Sequence, residues 1–131
     1  MFNEICSMCL KCKNARCVNN CPVRTPIPDI ISLVEAGDIE TAALKLFLNN
    51  PLSAVCSVVC PHESNCCGSC VRGIKGESVP FYKIEQQVSR EFLDNFKVPD
   101  IVKNNHKVAI IGAGPAGITA SILLSLKGFR V

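Results

Sequence analysis

The chain has 131 residues, about the size of one small domain on a prior of roughly 100–200 residues per domain. Its formal charge of +3, spread over scattered basic residues, argues against a nucleic-acid-binding surface, and 48% hydrophobic residues with no Trp and 5% aromatics predict an aliphatic core. Ten cysteines are more than core packing requires. Met1–Leu10 holds Glu4 and no apolar run, so no signal peptide is expected. The compartment expected is then the reducing cytoplasm, where cysteines hold metal rather than form disulfides.

Residues 1–25 are dense in cysteine and lack helical periodicity, which predicts a loop-rich segment. They carry the first cysteine group, Cys9-x2-Cys12-x4-Cys17-x3-Cys21-Pro22. Pro28 suits the first turn of a helix through Asp29–Ala36 that Gly37 ends. Asp38 can cap a second helix, Ile39–Asn49, and Pro51 follows it. Ala42, Ala43, Leu46 and Phe47 fall on one face of that helix. The second cysteine group is Cys56-x3-Cys60-Pro61-x4-Cys66-x3-Cys70. A third helix begins near Pro80, with Phe81, Ile84, Val88, Phe92 and Phe96 as one apolar stripe. These stripes read as core. Residues 1–98 thus form one helical, cysteine-bearing domain.

Residues 99–105 are polar and contain Pro99, as a linker would. Residues 106–131 change character. Lys107–Ile111 is an apolar run short enough for a buried parallel strand. Gly112-x-Gly114-x-x-Gly117 follows at once, and Ile118–Leu126 reads as a helix ended by Gly128. The uncharged stretch Val108–Leu126 has the length of a membrane span, but its glycines and Pro115 would break one. Between a strand and a helix, each glycine of this pattern has a function in dinucleotide binding. Gly112 permits the tight turn, Gly114 lets a pyrophosphate approach the backbone, and Gly117 lets helix and strand pack closely. The phosphate-binding turn is therefore Gly112, Ala113, Gly114, Pro115, Ala116 and Gly117, with the anion at the helix N-terminus. The acidic residue that would bind the ribose lies beyond Val131, so the chain reads as the N-terminal piece of a longer protein.

Thiolates at these spacings can surround one inorganic core, and iron in a sulfide cluster takes soft anionic ligands. Structural zinc prefers paired C-x2-C elements, and only Cys9 and Cys12 make such a pair. Eight cysteines in two groups of four suggest two clusters. Cys6 and Cys67 lie outside the spacing and read as bystander thiols. The simplest local grouping joins Cys9, Cys12, Cys17 and Cys21 in one site and Cys56, Cys60, Cys66 and Cys70 in the other. No catalytic acid–base pair or nucleophile is visible. His62 and His106 are isolated and read as surface or loop residues.

The order CxxCxxxxCxxxCP, then PIPDIISLVEAGDIETA, then the second cysteine group, then KVAIIGAGPAGITAS resembles the small (β) subunit family of NADPH-dependent glutamate synthase. The same module begins dihydropyrimidine dehydrogenase and related flavin oxidoreductases. The resemblance runs from about Cys9 to Val131. It implies a helical domain with two [4Fe–4S] clusters ahead of FAD-binding and NAD(P)H-binding domains. It also implies an exchange of ligands between the two groups: Cys9, Cys12, Cys17 and Cys70 for one cluster, and Cys21, Cys60, Cys66 and a non-cysteine side chain for the other. Glu85 falls at the matching place, with Gln86 as the alternative, and Cys56 is left out. Another reading of Glu85 is an exposed helix residue.

The fold class expected is mainly α, with the first strand, turn and helix of a truncated α/β dinucleotide-binding domain. The function expected is that of an N-terminal fragment of an NAD(P)H- and FAD-dependent iron–sulfur oxidoreductase, inactive by itself. Electrons would pass from flavin through the clusters to a large subunit or a fused catalytic domain, and the nicotinamide site would lie beyond this chain. The alternatives are a self-contained two-cluster electron carrier and a zinc scaffold.

Overall fold

Helix punctuation in the sequence accounts for much of the architecture. The computed structural model describes residues 2–131. It contains seven α-helices among the described residues: α1 (Phe2–Met8), α2 (Arg16–Asn19), α3 (Ile27–Glu35), α4 (Ile39–Asn49), α5 (Ser53–Val59), α6 (Phe81–Asn95) and α7 (Pro115–Leu126). The chain is mainly α. It divides into two units, one up to Asp94 and one from Asn95 to Val131.

In the first unit, α3 carries Pro28 in its first turn, where a missing N–H costs nothing. It stops at Gly37, whose φ of 81° is left-handed and easy only for glycine. The Asp38 side chain then accepts a hydrogen bond from the Thr41 amide at 3.2 Å, a cap that starts α4 at once. The two helices pack against each other, and α1 packs on α3.

Their apolar faces make one core: Cys6 from α1, Ile27, Ile30, Ile31 and Val34 from α3, and Ala42, Ala43 and Leu46 from α4, joined by Ile84 and Val88 of α6. Each fully buried Ile or Leu contributes roughly 1.5–3 kcal/mol. The buried Ser53 and Ser89 hydroxyls lie 2.8 Å apart and tie α5 to α6. Ion pairs are peripheral; Lys45–Asp29 (2.8 Å) and Lys11–Glu35 are both exposed and so add little stability.

Two sequence expectations change here. The segment 1–25 is not loop throughout, because it holds α1 and α2. Cys6 is fully buried among apolar side chains, so α1 folds through packing rather than through a period visible in seven residues. Helix α5 was not separately legible in the second cysteine group, and it carries Cys56.

In the second unit, α7 begins at Pro115, three residues before the expected start, with Gly114 as N-cap. The expected strand Lys107–Ile111 is present only as a single parallel bridge between Lys107 and Arg130. The Val108 amide donates to the Arg130 carbonyl (2.8 Å), and the Arg130 amide donates to the His106 carbonyl (3.1 Å). A parallel strand is stable within a sheet covered on both faces, and one partner residue does not make that ladder. Asn104 holds the far end of α7: its amide donates to the Gly128 carbonyl at 2.9 Å, and its side-chain Nδ2 donates to the Lys127 carbonyl at 3.3 Å. Among the described residues no single helix is long and apolar enough to cross a membrane.

Candidate metal centre

The backbone around the second cysteine group is organised by one carbonyl. The His62 C=O accepts hydrogen bonds from the amides of Asn65 (3.1 Å) and Cys67 (3.0 Å). This folds residues 62–68 into a tight loop that turns Cys66 inward. Gly68 is required there, because a Cβ at that position would lie 1.9 Å from the Glu63 carbonyl oxygen. The first group is set by α2, which carries Cys17, and by a turn in which the Arg24 amide donates to the Cys21 carbonyl at 2.9 Å.

Two cavities result, each with about 470 Å³ of space free of atoms, counting the open mouth. Cys9, Cys12, Cys17, Cys66 and Cys70 line the first, within apolar walls that include Ile27, Val79 and Phe81. Cys21, Cys56, Cys60, Cys66, His62 and Glu85 line the second. Cys66 and Phe81 belong to both walls. Cys21 does not line the first cavity, nor Cys70 the second. The structure therefore brings Cys70 to the N-terminal thiols and brings Cys21 to the later ones.

Glu85 is buried on α6, whereas Gln86 is exposed. Cys56 lies on the second wall although the resemblance leaves it out. The expectation of His62 as a surface or loop residue is corrected: it is only 9% exposed, and its ring stacks on Tyr82 with centroids 4.5 Å apart. Its signal was its place, two residues after Cys60 and inside the cysteine motif. His106 remains exposed.

The electrostatics of these walls disfavour bare thiolates. Burial pushes Cys17 up to about 11 and also raises Cys9 and Cys56. Cys66 is raised foremost by the hydrogen bond it shares with Cys67, and that same bond lowers Cys67 to about 7. Burial alone raises Glu85 to about 7. Anionic forms of these groups need a positive core beside them. Two sulfurs already have amide donors: Asn65 Nδ2 lies 3.3 Å from Cys60 Sγ, and Asn50 Nδ2 lies 3.2 Å from Cys56 Sγ. Among the described residues no three metal-ligating side chains converge on one point. The thiols instead line the walls of the two cavities. All ten cysteines are unpaired, and the soft donor set fits an iron–sulfide core.

A comparison with protein families then decides the class. Residues 3–96 match the model for the dihydropyrimidine dehydrogenase domain II, 4Fe-4S cluster. The chain belongs to this family. The expected resemblance is thus established over this region. The chain is 35% identical to the glutamate synthase [NADPH] small chain of Escherichia coli strain K12, over 93% of its own length and 26% of that protein. It is 36% identical to the NAD-dependent dihydropyrimidine dehydrogenase subunit PreT of the same strain, over 95% of its own length and 31% of that protein. The Salmonella typhimurium PreT is 33% identical, with 95% and 31% covered. The chain thus spans less than a third of the length of these relatives.

In the second unit, the glycine turn has its own geometry. Gly112 has φ 111°. A Cβ at Gly117 would lie 2.1 Å from the Gly112 carbonyl oxygen, so the helix can approach the turn only with glycine there. A Cβ at Gly114 would meet nothing within 4 Å. Gly112, Ala113 and Gly117 line an open groove with Val108, Ile118 and Val131.

Proposed function

We propose that the helical unit holds two [4Fe–4S] clusters, one on Cys9, Cys12, Cys17 and Cys70 and one on Cys21, Cys60, Cys66 and Glu85. When bound, the clusters would supply one-electron carriers between a flavin reduced by NADPH or NADH and the active site of a partner subunit or fused domain. The observation that carries this reading is the division of the thiols: Cys70 shares a cavity with Cys9, Cys12 and Cys17, while Cys21 shares one with Cys60, Cys66 and Glu85.

The residues of the chain have distinct parts in this scheme. The thiolates take the iron, and Glu85 supplies a carboxylate from α6 in place of the Cys56 thiol, which lines the same cavity. Ile27, Val79 and Phe81 exclude water from the first cavity, while Asn65 donates to the Cys60 sulfur. Shared walls at Cys66 and Phe81 keep the two carriers close. The glycine turn 112–117 is proposed as the diphosphate-binding start of an FAD domain. The open space at Gly114 and the helix N-terminus behind it support that role. The setting proposed is the cytoplasm.

Metal and sulfide analysis of the protein purified without oxygen tests the reading. About eight irons and as many acid-labile sulfides per chain are expected. Stoichiometric zinc without labile sulfide would refute it.

A further inference from the structure

We propose that His62 is a hydrogen-bond donor to the cluster of the second cavity, a positioning residue that raises the reduction potential of that cluster. The inference rests on the iron–sulfur reading above and adds a residue outside its ligand set.

The imidazole is more than nine-tenths buried, and among the described residues its Nε2 is the one buried side-chain polar atom with no hydrogen-bond partner. Such an atom is costly to leave unpaired, and native proteins rarely do so without a bound group or water to meet it. His62 lines the cavity that Cys21, Cys60, Cys66 and Glu85 also line. What occupies that cavity is therefore the natural partner of the imidazole.

The ring is held in place from two sides. It stacks on Tyr82 of α6 at an interplanar angle of 19°, and its backbone carbonyl accepts the Asn65 and Cys67 amides. The same loop thus presents both the thiols and the imidazole. In the tautomer with its proton on Nε2, the ring can donate to a cysteine or sulfide sulfur. Reduction adds negative charge to the cluster, so a donor to sulfur favours the reduced form and raises the potential. Asn65 already makes such a bond to Cys60 from the same loop, so that loop would present a pair of neutral donors beside the one Asn50 gives to Cys56.

The test uses the whole chain, purified without oxygen, labelled with 15N-histidine and reduced by a low-potential reductant. Pulsed electron paramagnetic resonance should detect a weak nitrogen coupling and a proton coupling lost in D2O. Both should persist in His106→Gln; in His62→Leu the nitrogen coupling should vanish and the exchangeable proton coupling should shrink to what the Asn65 donor leaves. At a fixed applied potential, His62→Leu should lower the reduced-to-oxidised ratio of one cluster by about three- to tenfold, where tenfold is ~59 mV for one electron. His62→Gln, which keeps an N–H near the same place, should recover most of that ratio.

A wild-type spectrum with no histidine coupling would overturn the proposal. So would a coupling strong enough for a direct iron–nitrogen bond, which would make His62 a ligand. An unchanged ratio in His62→Leu would also overturn it. If His62→Leu fails to hold its cluster, the wild-type spectrum decides. Absence of any cluster signal from the wild-type protein would instead refute the iron–sulfur reading itself.

Discussion

Replacing Gly68 with alanine tests whether the loop 62–70 sets both cavities. The added Cβ would start 1.9 Å from the Glu63 carbonyl oxygen and 3.0 Å from its carbon. Carbon and oxygen do not approach much below about 3 Å, so the loop must open by about 1 Å. Functional groups need to stay within about 0.5 Å of their productive positions. The displacement is therefore about twice what a ligand set tolerates. It falls between Cys66, which lines both cavities, and Cys70, which lines the first. Iron and labile sulfide per chain should fall by half or more in Gly68→Ala. Overpacking of this kind costs about 1–3 kcal/mol, which lowers a thermal midpoint by roughly 4 °C or more in a domain of this size. Gly76→Ala is the control, because its Cβ would meet nothing within 4 Å. If Gly68→Ala keeps the iron content and the melting temperature of Gly76→Ala, the loop does not govern the cavities.

Two further outcomes are expected. Cys60→Ser should remove the iron of one cluster while Cys56→Ser keeps both; equal losses would restore the local grouping and release Glu85. In cluster-free protein, alkylation followed by mass spectrometry should label Cys67 first near pH 7. Cys17, pushed up to about 11 by burial, stays protonated and unreactive until the pH approaches that value. Equal labelling of the two at pH 7 would contradict that order.

The sequence made α3 and α4 legible because Pro28, Gly37 and Asp38 each state a start or a stop in local chemistry. The boundaries of α4 agree with its expected span, Ile39–Asn49. Helix α6 was legible as a stripe, and the stripe also separates Glu85 from Gln86. Glu85 lies four residues after Phe81 and three before Val88, on the buried side. Helix α5 was not legible, because its pattern is inverted: Ser53 and Ser57 share a buried face while Val55, Val58 and Val59 are exposed. It is held by long-range contacts such as the Ser53–Ser89 hydrogen bond. The strand expected over residues 107–111 failed for the opposite reason: its local pattern was clear, but strand pairing is a tertiary property. His62 was misread because an isolated histidine says nothing of burial. The aromatic partner that covers it comes from Tyr82, 20 residues on.

The crossing of thiols between cavities also bears on synthesis at the ribosome. Neither cavity closes on local sequence: the first joins Cys17 to Cys70, and the second joins Cys21 to Glu85. At about 5–20 residues per second, translation takes several seconds to pass from one end of either set to the other. During that interval the nascent chain displays the four thiols of its first cysteine group, Cys9, Cys12, Cys17 and Cys21, with no enclosing wall. On the proposed ligand sets, cluster delivery follows emergence of α6, and the chain has to remain reduced while it waits. A nascent chain arrested before Glu85 cannot complete the second cavity, so maturation is coupled to the last helix of the unit rather than to the first cysteine motif.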